Sequence, residues 1–165
     1  MIFDAAVPVF VHFLNGLASV LRKAEAHVQA KKLDPDAFLA ARLFPDMFTF
    51  TKQVQLACDF AKGTSARLAG VTAPSHADDE KTFDELQARI RKTIDFLRGL
   101  NKEQFAEAET RAITFKAGGK DMTIKGAQYL SNVGLPNFYF HVTTAYGLLR
   151  HNGVEIGKAD FLARV

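Results

Sequence analysis

His141 is the ionisable side chain whose position in the sequence most clearly suggests chemistry. It follows Phe138 by three residues and precedes Ala145 by four, a spacing that places all three on one face of an α-helix. An imidazole in such an apolar stripe either bonds a neighbouring hydroxyl, amide or backbone carbonyl, or it binds a ligand or transfers a proton. The sequence leaves both interpretations open and makes His141 the leading candidate for a functional residue.

Three other polar side chains are candidates to share a site with His141. Gln53 flanks the apolar stripe of an earlier helix, from which its amide could meet His141 across the core. Tyr139 and Tyr146 place hydroxyl groups on the same helix as His141. We therefore predict a polar pocket in the core that binds a small ligand through His141, Gln53, Tyr139 and Tyr146.

A divalent metal is the cofactor that a buried histidine first suggests. Metal sites on helices normally combine two histidines one turn apart, or a histidine and a carboxylate, because that spacing lets two donors reach one ion. Ala145 occupies the position one turn after His141, and His151 lies at the far end of the helix. The sequence therefore predicts no bound cofactor, with His141 as the candidate ligand if a metal does bind.

Two other features look chemical but have simple structural interpretations. Cys58 is the only cysteine and has no basic neighbour in the sequence, so we interpret it as a small buried hydrophobic residue. The acidic run 78–80 precedes an apolar helical stretch, where carboxylates cap a helix and interact well with its dipole. Within that helix, Arg89 is assigned to the solvated side.

The overall charge argues against nucleic acid as a partner. The 165 residues include 21 basic and 18 acidic side chains, for a net charge of +3, and the two signs are interspersed along the chain and not gathered in one block. A surface that binds a duplex would need clustered Lys and Arg to displace counterions.

Hydrophobic residues make up 48% of the chain and include 15 Phe, which is enough to bury one core. Residues 1–165 are therefore predicted to form a single domain.

The N-terminal apolar run, residues 2–21, resembles a membrane span only in composition. Asp4, His12 and Asn15 interrupt it, and its apolar residues follow one helical stripe. The sequence accordingly predicts no membrane association and a cytoplasmic protein.

Apolar periodicity places these residues on four long helices. The helices are predicted over about 4–32, from Pro45-Asp46 to about 69, from the acidic run 78–80 onward, and up to about 150 with an interruption at 134–136. Alternation around Gly118-Gly119 predicts one β-hairpin before the last helix. Its apolar face should pack on the helices through Ile113, Phe115, Met122 and Ile124. The fold class is therefore all-α with one short hairpin.

Several runs of sequence resemble the DinB/YfiT-like superfamily of four-helix-bundle metalloenzymes, in a branch known only as a domain of unknown function. They are Phe-Pro-Asp-Met-Phe (44–48), Lys-Gln-Val-Gln-Leu-Ala-Cys-Asp-Phe-Ala (52–61), Ala-Arg-Leu-Ala-Gly (66–70) and Asn-Phe-Tyr-Phe-His-Val-Thr-Thr-Ala-Tyr (137–146). The resemblance implies an antiparallel up-down-down-up bundle, a homodimer, and a metal held by three histidines, one from the second helix and two from the fourth.

This chain departs from that ligand set. His141 can stand for one histidine of the fourth helix, but Ala145 replaces the other and the predicted second helix contains none. The resulting prediction is a domain that binds a small ligand without the family's metal. Two alternatives remain: a metal-dependent or thiol-transferring enzyme that uses His141, and a structural homodimer module.

Overall fold

The computed structural model describes residues 1–164, in which helices predominate. The helices are Ile2–Ala30 (α1), Pro35–Leu39 (α2), Phe50–Ala69 (α3), Phe83–Arg98 (α4), Gly126–Tyr129 (α5), Leu135–His151 (α6) and Lys158–Phe161 (α7). A 3₁₀ turn covers Lys102–Phe105, and a π-helical turn covers Leu130–Gly134. The strands Ala112–Ala117 (β1) and Lys120–Lys125 (β2) form a two-stranded antiparallel sheet.

The long helices α1, α3, α4 and α6 share one hydrophobic core. Helix α3 packs against α4 and α6, and α1 packs against α4, α3 and α6. Phe10, Phe50 and Phe138 are completely buried in this core, and the rings of Phe10 and Phe138 meet edge to face with centroids 4.9 Å apart. The prediction of a mostly helical fold with one hairpin is confirmed.

Helix α1 is the one helix among residues 1–164 that is long and apolar enough to cross a membrane by length and composition alone. Its most apolar window has a mean hydropathy of 1.5, and half of that window is buried inside the protein. The buried half contributes Phe10, Leu14 and Leu17 to the core. Core helices often pass such a test, so the absence of a membrane association stays a prediction.

Helix α3 begins later than the sequence predicted. Pro45 and Asp46 lie in a turn closed by a 3.0 Å bond from the Met47 amide to the Phe44 carbonyl. Thr49 is the N-cap, because its hydroxyl accepts a hydrogen bond from the Lys52 amide. The predicted start at Pro45-Asp46 was therefore wrong.

Helix α4 is also capped by a different residue from the one predicted. Thr82 and Glu85 form a capping box, in which each side chain bonds the backbone N–H of the other residue. The acidic run before it does not cap the helix. Asp78 and Glu80 instead pair with Arg89, which is only 2% exposed and does not face solvent as predicted.

The hairpin has the predicted position and a regular register. Ile113 pairs with Ile124 and Phe115 with Met122, and the turn uses Gly118-Gly119 with positive φ at both residues. Ile113 is buried, whereas Met122 is 47% exposed. The prediction that Met122 packs on the helices was therefore wrong, because only part of this face reaches the core.

No break interrupts the last helical region. The chain stays helical from Gly126 to His151, with the π-helical turn Leu130–Gly134 joining α5 to α6, so the interruption predicted at 134–136 was wrong. Pro136 lies in the first turn of α6, where its missing N–H is tolerated. The π-helical turn also brings Gly134 so close to α3 that a Cβ there would lie 2.5 Å from Thr64.

Candidate functional site

The packing of α6 on α3 creates the site around His141. The imidazole is 6% exposed, and the Gln53 side chain that faces it from α3 is 1% exposed. The ring of Phe60 stacks on the imidazole with centroids 5.5 Å apart, and Phe140 meets it edge to face at 5.3 Å. His141 and Gln53 therefore contact each other across the core, as the sequence predicted.

Two hydrogen bonds of Gln53 define the proton position on His141. The amide nitrogen of Gln53 donates to the backbone carbonyl of Phe48 at 3.4 Å, and its Oε1 lies 2.7 Å from Nδ1 of His141. Because the carbonyl of Phe48 can only accept, Oε1 of Gln53 must face the histidine, and Oε1 is itself an acceptor. His141 therefore carries its proton on Nδ1, and Nε2 holds a lone pair.

The Nε2 atom of His141 is available to an incoming group. It has no hydrogen-bond partner among residues 1–164, and it is not one of the buried polar atoms sealed from solvent. Burial lowers the pKa of His141 from 6.5 to about 4, so the ring is neutral near pH 7. The site therefore presents one oriented acceptor between two aromatic rings.

This pKa predicts a pH-dependent stability. Between pH 6.5 and pH 4 the unfolded chain protonates His141 while the folded chain does not, so stability falls as the pH is lowered through that range. The full effect of lowering the pKa from 6.5 to about 4 is roughly 3 kcal/mol. Urea unfolding of the unmodified chain and of His141→Gln at pH 7 and pH 4.5 measures it. Gln lacks the titration, so parallel losses in the two proteins would contradict the assignment.

Tyr139 and Tyr146 do not join His141 and Gln53. Tyr139 lies edge to face against Phe13 of α1 at 5.1 Å, and Tyr146 lies against Phe161 at 5.8 Å. Both tyrosines therefore contact aromatic rings of α1 and α7, away from the α3 side of α6. Their binding of a ligand stays a prediction without support from this geometry.

The residues around His141 do not match a three-histidine metal centre. Within residues 1–164 no group of three or more His, Cys, Asp and Glu side chains is arranged to hold a metal ion. The nearest polar partner of His141 is the neutral amide of Gln53, a weak metal ligand compared with a second imidazole. The donor set at this position therefore does not fit the metal that the DinB-like resemblance implies.

Cys58 is unsuited to nucleophilic chemistry. Its side chain is fully buried, and this burial raises the pKa of the thiol to about 12. The thiol therefore stays protonated at neutral pH, and the interpretation of Cys58 as a core residue is confirmed.

Comparison with known proteins identifies the family. Residues 2–162 match a family described as a domain of unknown function, DUF1993. The chain belongs to the DUF1993 family. This DUF1993 domain is also 44% identical to a DinB family member protein from Shewanella denitrificans, whose crystal structure was determined at 1.83 Å resolution. The two structures superpose with a TM-score of 0.90 over 98% of this chain and 92% of the other.

These matches confirm the DinB-like resemblance of the DUF1993 domain. No curated protein matches the chain. The comparisons therefore establish family and fold, and the chemistry of the domain has to be argued from its side chains.

Proposed function

We propose that this DUF1993 domain binds a small molecule at the His141–Gln53 pair without a metal or other cofactor. The observation that supports the proposal is the 2.7 Å bond between Nδ1 of His141 and Oε1 of Gln53. It holds the imidazole in one tautomer, so that Nε2 accepts a hydrogen bond from the ligand. A core histidine with no role in binding would more commonly use both ring nitrogens within the protein.

The surroundings of Nε2 define the kind of ligand. Phe60 stacks on the imidazole and Phe140, which is 55% exposed, forms its outer edge. A hydroxyl or amine on an apolar ring would donate to Nε2 and bury its ring against these side chains. A ligand without a donor would leave the lone pair of Nε2 unpaired and would bind less tightly.

Phenol and anisole provide a matched test, because anisole has the same ring but no donor. We expect phenol to bind roughly five to ten times more tightly than anisole, as the loss of one hydrogen bond implies. The measurement is an NMR titration of protein purified without added metal, followed through the His141 ring and the side-chain amide of Gln53, which also reports binding in variants without His141. His141→Gln should remove the preference for phenol, whereas His151→Gln, an exposed histidine on the same helix, should keep it.

Two results would contradict the proposal. If the unmodified chain bound phenol and anisole with equal affinity, Nε2 of His141 would not accept a hydrogen bond from the ligand. Stoichiometric zinc or nickel that is lost in His141→Ala would favour the alternative, a metal-dependent or thiol-transferring enzyme that uses His141.

A second candidate function, a homodimer module, is favoured by three exposed aromatic residues, of which Phe48 and Phe140 contact the His141–Gln53 pair. Phe44, Phe48 and Phe140 are 64%, 53% and 55% exposed, although most large apolar side chains of the domain are buried. We propose that two copies cover these rings. Sedimentation at several concentrations tests this: Phe44→Gln with Phe140→Gln should convert a dimer into a monomer, and an unmodified chain that stays monomeric would exclude it.

The direction of the four long helices is also a proposal. We propose that α1, α3, α4 and α6 form an antiparallel up-down-down-up bundle, which is supported by the pairwise packing of these helices around one core. We further propose a cytoplasmic protein that binds neither nucleic acid nor membrane, consistent with a net charge of only +3 and the burial of half of the apolar window of α1.

A further inference from the structure

A groove of about 630 Å³ lies beside the His141 site, between α3, the hairpin and the helical region from α5 to α6. Its size is in the range of pockets that hold small organic ligands. Phe60, which stacks on His141, forms part of its wall, but neither His141 nor Gln53 lines it. Besides Phe60, the side chains that line it include Arg67, Phe115, Lys116, Tyr129, Val133 and Asn137.

Of the two cations that line this groove, Arg67 and Lys116, Arg67 is the one held against an aromatic wall residue. Its side chain is exposed, and no carboxylate among residues 1–164 lies within 4 Å of it. Nη1 of Arg67 donates to the hydroxyl of Tyr129 at 3.3 Å, and the guanidinium carbon lies 5.9 Å from the centre of the tyrosine ring. The guanidinium is therefore positioned by Tyr129 and keeps most of its five donors free.

The absence of a side chain at Gly63 helps to place this guanidinium. A Cβ at position 63 would lie 2.8 Å from Nη1 of Arg67, so the arginine lies over the glycine one turn earlier on α3. Arg89 provides a contrast, because its guanidinium is surrounded by carboxylates. Arg67 thus has the geometry of an arginine that is available for an external anion.

Aromatic rings form much of the rest of the groove, Lys116 adds an exposed second cation from the hairpin, and none of the lining side chains is acidic. Phe115 lies against Tyr129 with ring centroids 5.1 Å apart, and Phe60 is half-buried on the α3 side. Val133 belongs to the π-helical turn, a feature that is often found at functional sites. The side chain amide of Asn137 donates to the carbonyl of Val133 at 2.7 Å, which leaves Oδ1 of Asn137 free as an acceptor.

We propose that this groove binds a small aromatic carboxylate. The carboxylate pairs with the guanidinium of Arg67, and the aromatic ring packs against Phe60 and Phe115. A cationic ligand would meet Arg67 without a compensating acid, and a neutral aromatic ligand would leave its free donors unused. The proposal goes beyond the binding at His141, because its charged group is Arg67 and neither His141 nor Gln53 lines the groove, although Phe60 borders both sites.

Phenylacetate and phenylacetamide test the proposal, because they share a ring and differ in charge. We expect the full chain to bind phenylacetate at least about ten times more tightly than phenylacetamide, as a charge-assisted pair with arginine implies. Binding is followed in an NMR titration through the Nε–H resonance of Arg67 and the amide resonances of the hairpin. Raising the salt from 20 to 300 mM should weaken only the phenylacetate, because salt screens an exposed charge.

Arg67→Gln should reduce the phenylacetate affinity to that of phenylacetamide. Lys120→Gln removes the same charge from an exposed position on the hairpin outside the groove, and it should leave the affinity unchanged within twofold. Circular dichroism and the urea midpoint confirm that each variant is folded. If Arg67→Gln loses its fold, Arg67→Lys provides the second variant, and it should bind several times more weakly because a lysine cannot form the two-bond pair.

Equal affinities for the two ligands, or an Arg67→Gln variant that binds phenylacetate like the unmodified chain, would overturn the proposal. Its failure is distinguishable from that of the His141 site. Phenol binding is detected at the His141 ring and loses its advantage over anisole in His141→Gln, whereas phenylacetate binding is detected at Arg67 and should persist in that variant.

Discussion

Replacing Arg89 with methionine should lower the free energy of unfolding by about 3 kcal/mol, the lower end of the range for removing one partner of a buried ion pair. The guanidinium is 2% exposed and lies 2.9 Å from carboxylate oxygens of both Asp59 and Asp78 and 3.0 Å from Glu80. Methionine fills similar space but leaves these three carboxylates facing one another. The estimate is at the lower end because Asp59 and Asp78 keep part of their contact with water.

The surrounding residues explain why solvent cannot replace Arg89. The side chain of Glu80 is 10% exposed, and its partners among residues 1–164 are the Arg89 guanidinium and the side-chain amide of Gln55. Lys52 holds Asp78 at 2.5 Å and Lys62 holds Asp59 at 3.2 Å, so each lysine already has its own carboxylate. Arg89 also donates to the carbonyl of Ala77 at 2.8 Å, which ties the connection between α3 and α4 to the helices.

Urea unfolding followed by circular dichroism at pH 7 measures the effect of Arg89→Met. Arg91→Met is the matched control, because Arg91 is exposed on the same helix and its loss should change stability by about 0.5 kcal/mol or less. The loss of stability in Arg89→Lys should lie between those of the two methionine variants, because an ammonium keeps the charge but cannot span three carboxylates. A loss below 1 kcal/mol in Arg89→Met would show that the network contributes little to folding.

The helices and the hairpin could be predicted because local spacing determines them. Apolar residues at intervals of three and four place α1, α3, α4 and α6, and alternation around Gly118-Gly119 places the hairpin. His141 could be singled out for the same reason, since it interrupts an apolar stripe. Its contact with Gln53 could be predicted as well, because both residues were placed on helix faces that point into one core.

The role of Arg89 could not be predicted, because it depends on partners distant in sequence. The run 78–80 stands before an apolar helix, where acidic residues commonly act as caps, but Thr82 and Glu85 already provide the cap. The carboxylates are thereby left to meet a cation from within α4. Only the packing of α3, α4 and their connection shows that this cation is Arg89.

The groove next to His141 was also missed. Arg67 and Tyr129 are 62 residues apart, and no periodicity links a helix to the segment after a hairpin. The π-helical turn has no clear sequence signature either, because Gly134 and Pro136 normally indicate the end of a helix. A signal was nevertheless present: Gly134 can approach Thr64 closely because it has no Cβ.

Gly126 provides the second large prediction, because a methyl group there has no space. A Cβ at position 126 would overlap the carbonyl oxygen of Ala108, which belongs to the backbone and cannot rotate away as a side chain could. The amide of Gly126 donates to the carbonyl of Arg111 at 2.9 Å, and that of Ala127 donates to Glu109 at 3.1 Å. Moving the segment 108–111 away would break both bonds. We therefore expect Gly126→Ala to lower the free energy of unfolding by about 3 kcal/mol.

Gly147→Ala is the matched control, because the same methyl group at that position meets no atom within 4 Å. Gly147 lies inside α6, where alanine is favoured over glycine by about 1 kcal/mol, so this variant should be more stable than the unmodified chain. Equilibrium urea unfolding measures both changes, and amide hydrogen exchange should show faster opening of the hairpin only in Gly126→Ala. If the same substitution lowers the free energy of unfolding at position 126 and raises it at position 147, the steric clash is separated from the effect of helix propensity. If Gly126→Ala left the free energy of unfolding unchanged, the segment 108–111 could move without destabilising the protein. The close contact of Gly126 with Ala108 would then not be what fixes the position of the hairpin on the helices.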